Sequence, residues 1–371
     1  MAWRPFGAVH ERLSQKPWTV TEAKDTQRAV RIGVNELIEF LEDRPGRIKA
    51  LGEDAVESLL DSSFGARDLP DIKRRARSHA RRVLDTLLAP ELTRDPSSRT
   101  EDDLANLLVM STYAHILLDP DDLRREELTK WTNRALRDAS SLSGALGVDH
   151  PKTLSNGRTR NEDALELVLW TITLIDAHRI PGLELPREAS TFVRDTWRLL
   201  PTYPLVAASE CAKGGNDTRF YHDAYLATHM GYIPTGYGRH RIRQSETRWL
   251  YRFLRENFYA VLEMGELDLV AEFVDLLRQY GFTEEDQQVR DGTRHLLRLF
   301  HASGDRWMNH RESWEARRLA PYHVIHKPWT GIAGVRTREP EPVTRGSYGA
   351  VFYALTNANG RRKRAPGRAP K

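Results

Sequence analysis

The sequence predicts an all-α protein of antiparallel helical hairpins that close into an (α/α) toroid-like arrangement. Three observations carry that prediction. Apolar residues recur at helical spacing along most of the chain, and the alternation expected of strands is almost absent. Pro-, Gly- and Asp/Ser-rich breaks divide the periodic stretches into about thirteen segments. Short connections make neighbouring helices pack antiparallel. No strict 34- or 40-residue repeat recurs, which argues against a regular open solenoid.

In chain order, residues 1–25 read as an irregular arm with Trp3, Phe6 and Trp18 as packing anchors. Helical patterning begins near Gln27, where Val30, Val34, Leu37, Ile38 and Leu41 share a face, and Arg44-Pro-Gly ends it. Further helices are predicted at 48–62, 70–88, 100–118, 121–138 and 161–178. Asp119-Pro-Asp-Asp122 reads as an N-cap with acidic residues in the turn that follows, not as a magnesium-binding carboxylate cluster. The loop from Pro151 to Arg160 divides a helical part at 26–150 from a second at 151–360. The second part reads as helices at 188–199, 203–212, 218–232, 245–264, 266–280 and 285–302, with short ones near 320–334 and 347–358. Leu250, Phe253, Leu254, Phe258 and Leu262 face Leu269, Phe273, Leu276 and Leu277 as the core of an αα-hairpin.

Composition narrows the function classes. The chain has 371 residues, 40% apolar and 29% charged, as in a globular protein. No positive stretch followed by an apolar run opens it, and no segment approaches 18 consecutive apolar residues. A signal peptide and a membrane span are therefore not expected. The single cysteine, Cys211, excludes an internal disulfide, fits a cytoplasmic protein and reads as a buried inert thiol. The formal charge of +4 is misleading: residues 361–371 carry six positive charges and no negative ones, which leaves 4 − 6 = −2 for residues 1–360. The tail reads as disordered and solvated, so nucleic-acid binding beyond weak tail contacts is not expected.

One segment stands apart. Phe220–His240 holds three His, four Tyr, an Asp and an Arg. At about 3.6 residues per turn, His222, Tyr225 and His229 share a helical face that Tyr232 continues. Pro234 then stops the helix, and Thr235-Gly-Tyr-Gly238 turns Tyr237, Arg239 and His240 towards its end. Titratable groups gathered on one face are costly to bury without partners.

The run Asp223-Ala-Tyr-Leu-Ala-Thr-His229 resembles a Tyr-x-x-Thr-His motif of poorly characterised helical proteins from high-GC actinobacteria. There the motif precedes aromatic residues and a Thr-x-x-Gly turn, matched by Thr235–Gly238. Asp268-Leu-Val-Ala-Glu272, with Leu277 and Gly281, also resembles that group, and the likeness covers about residues 160–335. The resemblance implies a helical fold and a setting in specialised, natural-product metabolism. Where an acidic residue often follows the Thr in that group, this chain has Tyr237.

The residues themselves suggest acid–base chemistry. His229 is the expected base or acid, Tyr225 its proton partner one turn away, and Tyr237 the third catalytic candidate. Tyr232, Arg239 and His240 are the expected substrate-binding residues, with Arg239 as an anion clamp. The substrate class is a small polar or peptide-derived molecule. The different-class alternative is a non-catalytic helical module that binds a partner chain in an aromatic groove. A zinc or iron site would draw on His222 and the pair His323 and His326. His222 and His229 stand two turns apart, about 10 Å, too far to share one ion. Lys213-Gly-Gly-Asn-Asp217 lacks the spacing of a phosphate-cradling loop.

Overall fold

The computed structural model describes residues 16–43, 46–66, 68–95, 103–156, 159–211, 217–307, 327–333 and 346–356. Among them are sixteen α-helices and no strand. The first six are α1 (Val20–Glu42), α2 (Arg47–Leu51), α3 (Glu53–Gly65), α4 (Pro70–Thr93), α5 (Leu104–Leu117) and α6 (Leu123–Asp138). Next come α7 (Leu142–Ala145), α8 (Asn161–Ala177), α9 (Arg187–Leu199), α10 (Ala208–Cys211) and α11 (Asp217–Thr235). The last are α12 (Arg248–Met264), α13 (Leu267–Gln279), α14 (Gln287–Ala302), α15 (Thr330–Ala333) and α16 (Tyr348–Thr356).

Most boundaries fall close to those the sequence predicts, and the departures have local causes. Helix α1 starts at Val20, inside the stretch read as an arm. A capping box drives it: Thr19 Oγ1 accepts from the Glu22 N–H at 3.2 Å, and Glu22 Oε2 accepts from the Thr19 N–H at 2.8 Å. Its first turns are mostly polar and outward, so apolar periodicity alone misses them. The helix read at 48–62 breaks at Gly52, whose φ of 58° is left-handed, and becomes α2 and α3. Asp122 caps α6 as read, accepting from the Arg124 N–H at 3.1 Å. The helix read at 203–212 shrinks to α10 behind a 3-10 turn at Leu200–Thr202. Pro234 does not stop α11, which carries it in its last turn and ends at Thr235. Of the helix read at 320–334, the described part is α15. The arm before residue 16 and the tail at 361–371 lie outside the described residues.

Consecutive helices pair as hairpins: α3 with α4, α5 with α6, α8 with α9, and α11 through α14 in succession. Longer-range packing joins α1 to α4, α5 to α8, α8 to α11, α11 to α13, and α14 back to α1. One apolar cluster runs from Ala29 to Phe352. Helix α3 touches α1, α4, α5 and α15, so the middle of the chain and its later part meet across it.

Two contacts set the position of α13, which carries much of the site. A Cβ on Gly331 would lie 2.6 Å from the Ala271 carbonyl oxygen, so the glycine lets α15 lie directly on the α13 backbone. Fully buried Arg278 then ties the segments together. It donates to the Gly331 carbonyl at 2.7 Å, and to Glu284 and Thr293 at 2.8 Å each. Trp329, also buried, donates its ring N–H to Ser62 Oγ on α3 at 3.1 Å.

Candidate active site

Three helices turn chemistry towards one chamber of about 260 Å³. Helix α11 supplies Tyr225, His229 and Tyr232, which follow one face at helical spacing. Helix α3 contributes Asp54, Glu57 and Asp61, and α13 contributes Asp268, Glu272 and Asp275. Both acidic triplets repeat at turn spacing, so each forms a carboxylate stripe on a single helix face. Tyr237 closes one side and Lys327 another.

The aromatic rings form a continuous ladder. Tyr225 and His229 have centroids 4.4 Å apart, His229 and Tyr232 meet edge-on at 5.6 Å, and Tyr232 stacks on Tyr237 at 4.9 Å. Tyr237 reaches this position through a left-handed turn: Gly236, Tyr237 and Gly238 have φ of 56°, 56° and 81°. A positive φ at a tyrosine is strained, and such strain concentrates at functional sites. The turn is held by the Arg239 Nε donating to the Gly236 carbonyl at 2.7 Å and the His240 N–H donating to the Thr235 carbonyl at 3.0 Å.

His229 is oriented for proton transfer. Its Nδ1 lies 3.0 Å from the Tyr225 carbonyl, which can only accept, so Nδ1 carries the hydrogen and Nε2 the lone pair. Nε2 makes no hydrogen bond to the described residues, and the His229 ring lines the chamber. Burial lowers the His229 pKa to about 4, so the ring is neutral at physiological pH. Glu272 approaches Nδ1 at 3.8 Å and accepts from the Thr228 hydroxyl.

Most of the carboxylates are buried, and neighbouring ones raise one another's pKa. Burial, aided by Asp268, raises Glu272 well above the usual carboxylate range. Burial likewise raises Asp275 to about 7. Burial raises Glu57 to about 7 against the opposing pull of Lys327. Burial works against the Lys327 charge, but Asp61 at 2.9 Å and Glu57 at 3.9 Å outweigh it and raise its pKa. Six carboxylates and one lysine leave the chamber strongly acidic in formal charge.

A second chamber of about 220 Å³ adjoins the first. Asp54, Glu57, Asp61 and Tyr237 border both. Leu60, Phe64, Tyr113, Leu169, Trp170 and Ile172 from α3, α5 and α8 form an apolar wall, and the paired Asp176 and Arg239 also line it. Glu53 and Glu166 stand exposed at its edge.

Not every residue expected at the site belongs to it. Tyr225, His229, Tyr232 and Tyr237 come together in the first chamber. Arg239 borders the second chamber, where it is held in a bidentate pair with Asp176 of α8 at 2.8 and 2.6 Å, and its guanidinium lies over the Tyr348 ring at 4.3 Å. A buried guanidinium needs a counter-charge, and Asp176 fills that role in place of a substrate anion. His240 accepts from the Gly349 N–H at 3.0 Å and stacks on Tyr348, docking α16. His222 is exposed near the start of α11 and does not line the chamber. His323 and His326 lie outside the described residues, and among those described no three His, Cys, Asp or Glu side chains group as metal ligands. Cys211 is buried with a free thiol.

The sequence reading passed over the α3 stripe, Asp275 and Lys327. The available signal was acidic residues at turn spacing on otherwise apolar helices, a costly pattern without a purpose. Fold and site together define an all-helical protein with an acidic, tyrosine-lined chamber around a neutral histidine. The chain matches no family model, no curated protein and no solved structure.

Proposed function

We propose that this protein is an enzyme of specialised metabolism that acts on a small polar or peptide-derived substrate by acid–base chemistry at His229. The observation that carries the reading is the His229 ring, fixed through Nδ1, neutral, and lining a polar chamber with Nε2 unpartnered among the described residues. Nε2 would accept the substrate proton, and a raised-pKa carboxyl, Glu272 or Asp275, could return one. Tyr225, Tyr232 and Tyr237 would hold the substrate against the ladder. Their pKa values leave Tyr232 and Tyr237 as neutral hydroxyls, since burial first and the nearby carboxylates next push both well above the usual value.

A carboxylate-lined chamber is a poor dock for a partner helix, which favours catalysis over the interaction-module alternative. The metabolic setting rests on the Tyr-x-x-Thr-His resemblance. The toroid-like arrangement is likewise a proposal, supported by helix contacts that return from α14 to α1. No described helix is long and apolar enough to cross a membrane.

The test is mass spectrometry of an actinobacterial metabolite extract incubated with the purified protein. Consumption of one or a few species by wild-type protein, and not by heat-inactivated protein, supports the reading. An extract left unchanged contradicts it.

A further inference from the structure

We propose that the ligand is an amphiphilic amine, its ammonium in the acidic chamber and an apolar tail of about seven methylene-sized groups in the second. The proposal rests on the acid–base reading above only for where the ligand sits.

Two independent observations point to an ammonium in the first chamber. Carboxylate stripes from α3 and α13 border one space with a single lysine among them. Separately, the Tyr232 hydroxyl has no hydrogen-bond partner among the described residues, although the residue is only 6% exposed and lines that space. Its electrostatic neighbours are Glu272, Asp275, Asp61 and Asp268. The Tyr232 residue is buried but opens onto the chamber, so its hydroxyl offers an open acceptor to whatever the chamber holds. An ammonium has donors for both the hydroxyl and the carboxyl groups, whereas an anionic group finds a single ammonium, Lys327, already paired with Asp61. The tyrosine ladder adds ring faces that attract cations. The absence of a three-ligand group among the described residues favours an organic cation over a metal ion.

The tail follows from the shared border. Asp54, Glu57, Asp61 and Tyr237 belong to both chambers, and beyond them the second chamber presents an apolar wall of Leu60, Leu169, Trp170 and Ile172. Asp176, the one buried carboxylate in this space outside that border, is already neutralised by Arg239 and Arg179. Glu53 and Glu166 at the edge would attract a cation during entry.

Isothermal titration of the full chain with n-octylamine, octanoate, 1-octanol, n-butylamine and 1,8-diaminooctane tests the proposal. Octylamine should bind at least about tenfold more tightly than octanol, with octanoate weaker still. Butylamine should bind on the order of a hundredfold more weakly than octylamine, since each buried methylene contributes a factor of about four. Asp268→Asn should weaken octylamine about tenfold while leaving octanol unchanged. Thr173→Phe, which fills the second chamber, should narrow the gap between octylamine and butylamine. If that variant does not fold, the wild-type series still decides.

Octanol or octanoate binding as tightly as octylamine overturns the proposal. So does butylamine matching octylamine, or the diamine binding more tightly than the monoamine, which would put a second cation where the tail belongs. Zinc or magnesium chloride binding alone, stoichiometrically and lost in Asp268→Asn, would assign the carboxylates to a metal and overturn it too. Selective octylamine binding in a protein that transforms nothing removes the acid–base reading and leaves this one standing.

Discussion

At the residue scale, burial decides which titratable groups carry charge, and this gives the protein a defined pH response. Asp275 and Glu57 have folded pKa values of about 7, against roughly 4 in unfolded chains. The folded state thus holds protons that the unfolded state has lost. Their contribution to stability is full below about pH 4 and is lost as pH rises through 7, by up to about 1.4 kcal/mol per pH unit for each group. His229 and His115 act in the opposite sense. Both fall to about 4 when folded, so their contribution is full above about pH 6.5 and is lost as pH falls towards 4. Melting temperature should therefore stay nearly level between about pH 4 and 6, where the two trends offset, and decline between about pH 6 and 8, a decline that Asp275→Asn should reduce. A variant profile parallel to wild type between pH 6 and 8 would contradict the raised Asp275. Arg239 gives a second prediction. Arg239→Met should destabilise by about 3 kcal/mol, because it strands Asp176 in the interior. Arg179, 2.5 Å from Asp176, still neutralises part of the stranded charge and keeps the loss from growing larger. A variant with wild-type stability in chemical denaturation would mean the pair is dispensable.

At the element scale, the site depends on α3, α11 and α13 holding their faces towards one space. Gly331 is the tightest of these supports, with a Cβ there 2.6 Å from the α13 backbone. Gly331→Ala should push α15 off α13 and cost about 1–3 kcal/mol in urea unfolding. An unchanged midpoint would show that the contact relaxes freely. Thr19→Ala should cost about 1 kcal/mol by removing the α1 cap, and a loss much below this would mean the N-terminal turns fray without consequence. The same elements show what the sequence could and could not reveal. Tyr225, His229 and Tyr232 were legible because they repeat at turn spacing within one helix. Tyr237 was legible because two flanking glycines announce a left-handed turn. The Arg239–Asp176 pair was not legible, since its partners lie 63 residues apart on different elements. The carboxylate stripes were present as spacing, but nothing local tells a solvated acidic face from a buried one; that depends on which helix packs opposite. The α1 start was hidden because its first turns carry polar, capping chemistry in place of apolar period.

At the scale of the whole molecule, helical class and hairpin pairing follow from periodicity and short breaks, whereas the order in which hairpins meet does not. Nothing in the chain near Glu57 signals that α3 will face α11, more than 150 residues later. That meeting creates the chamber, and with it the claim that His229 is a proton-transfer residue and not a satisfied core histidine. The most direct test is His229→Gln, with melting temperature and turnover measured together on a substrate found in the extract screen. The account predicts near wild-type melting with a rate lower by about 10²–10⁴-fold. A variant that melts early yet turns over normally once folded would contradict it.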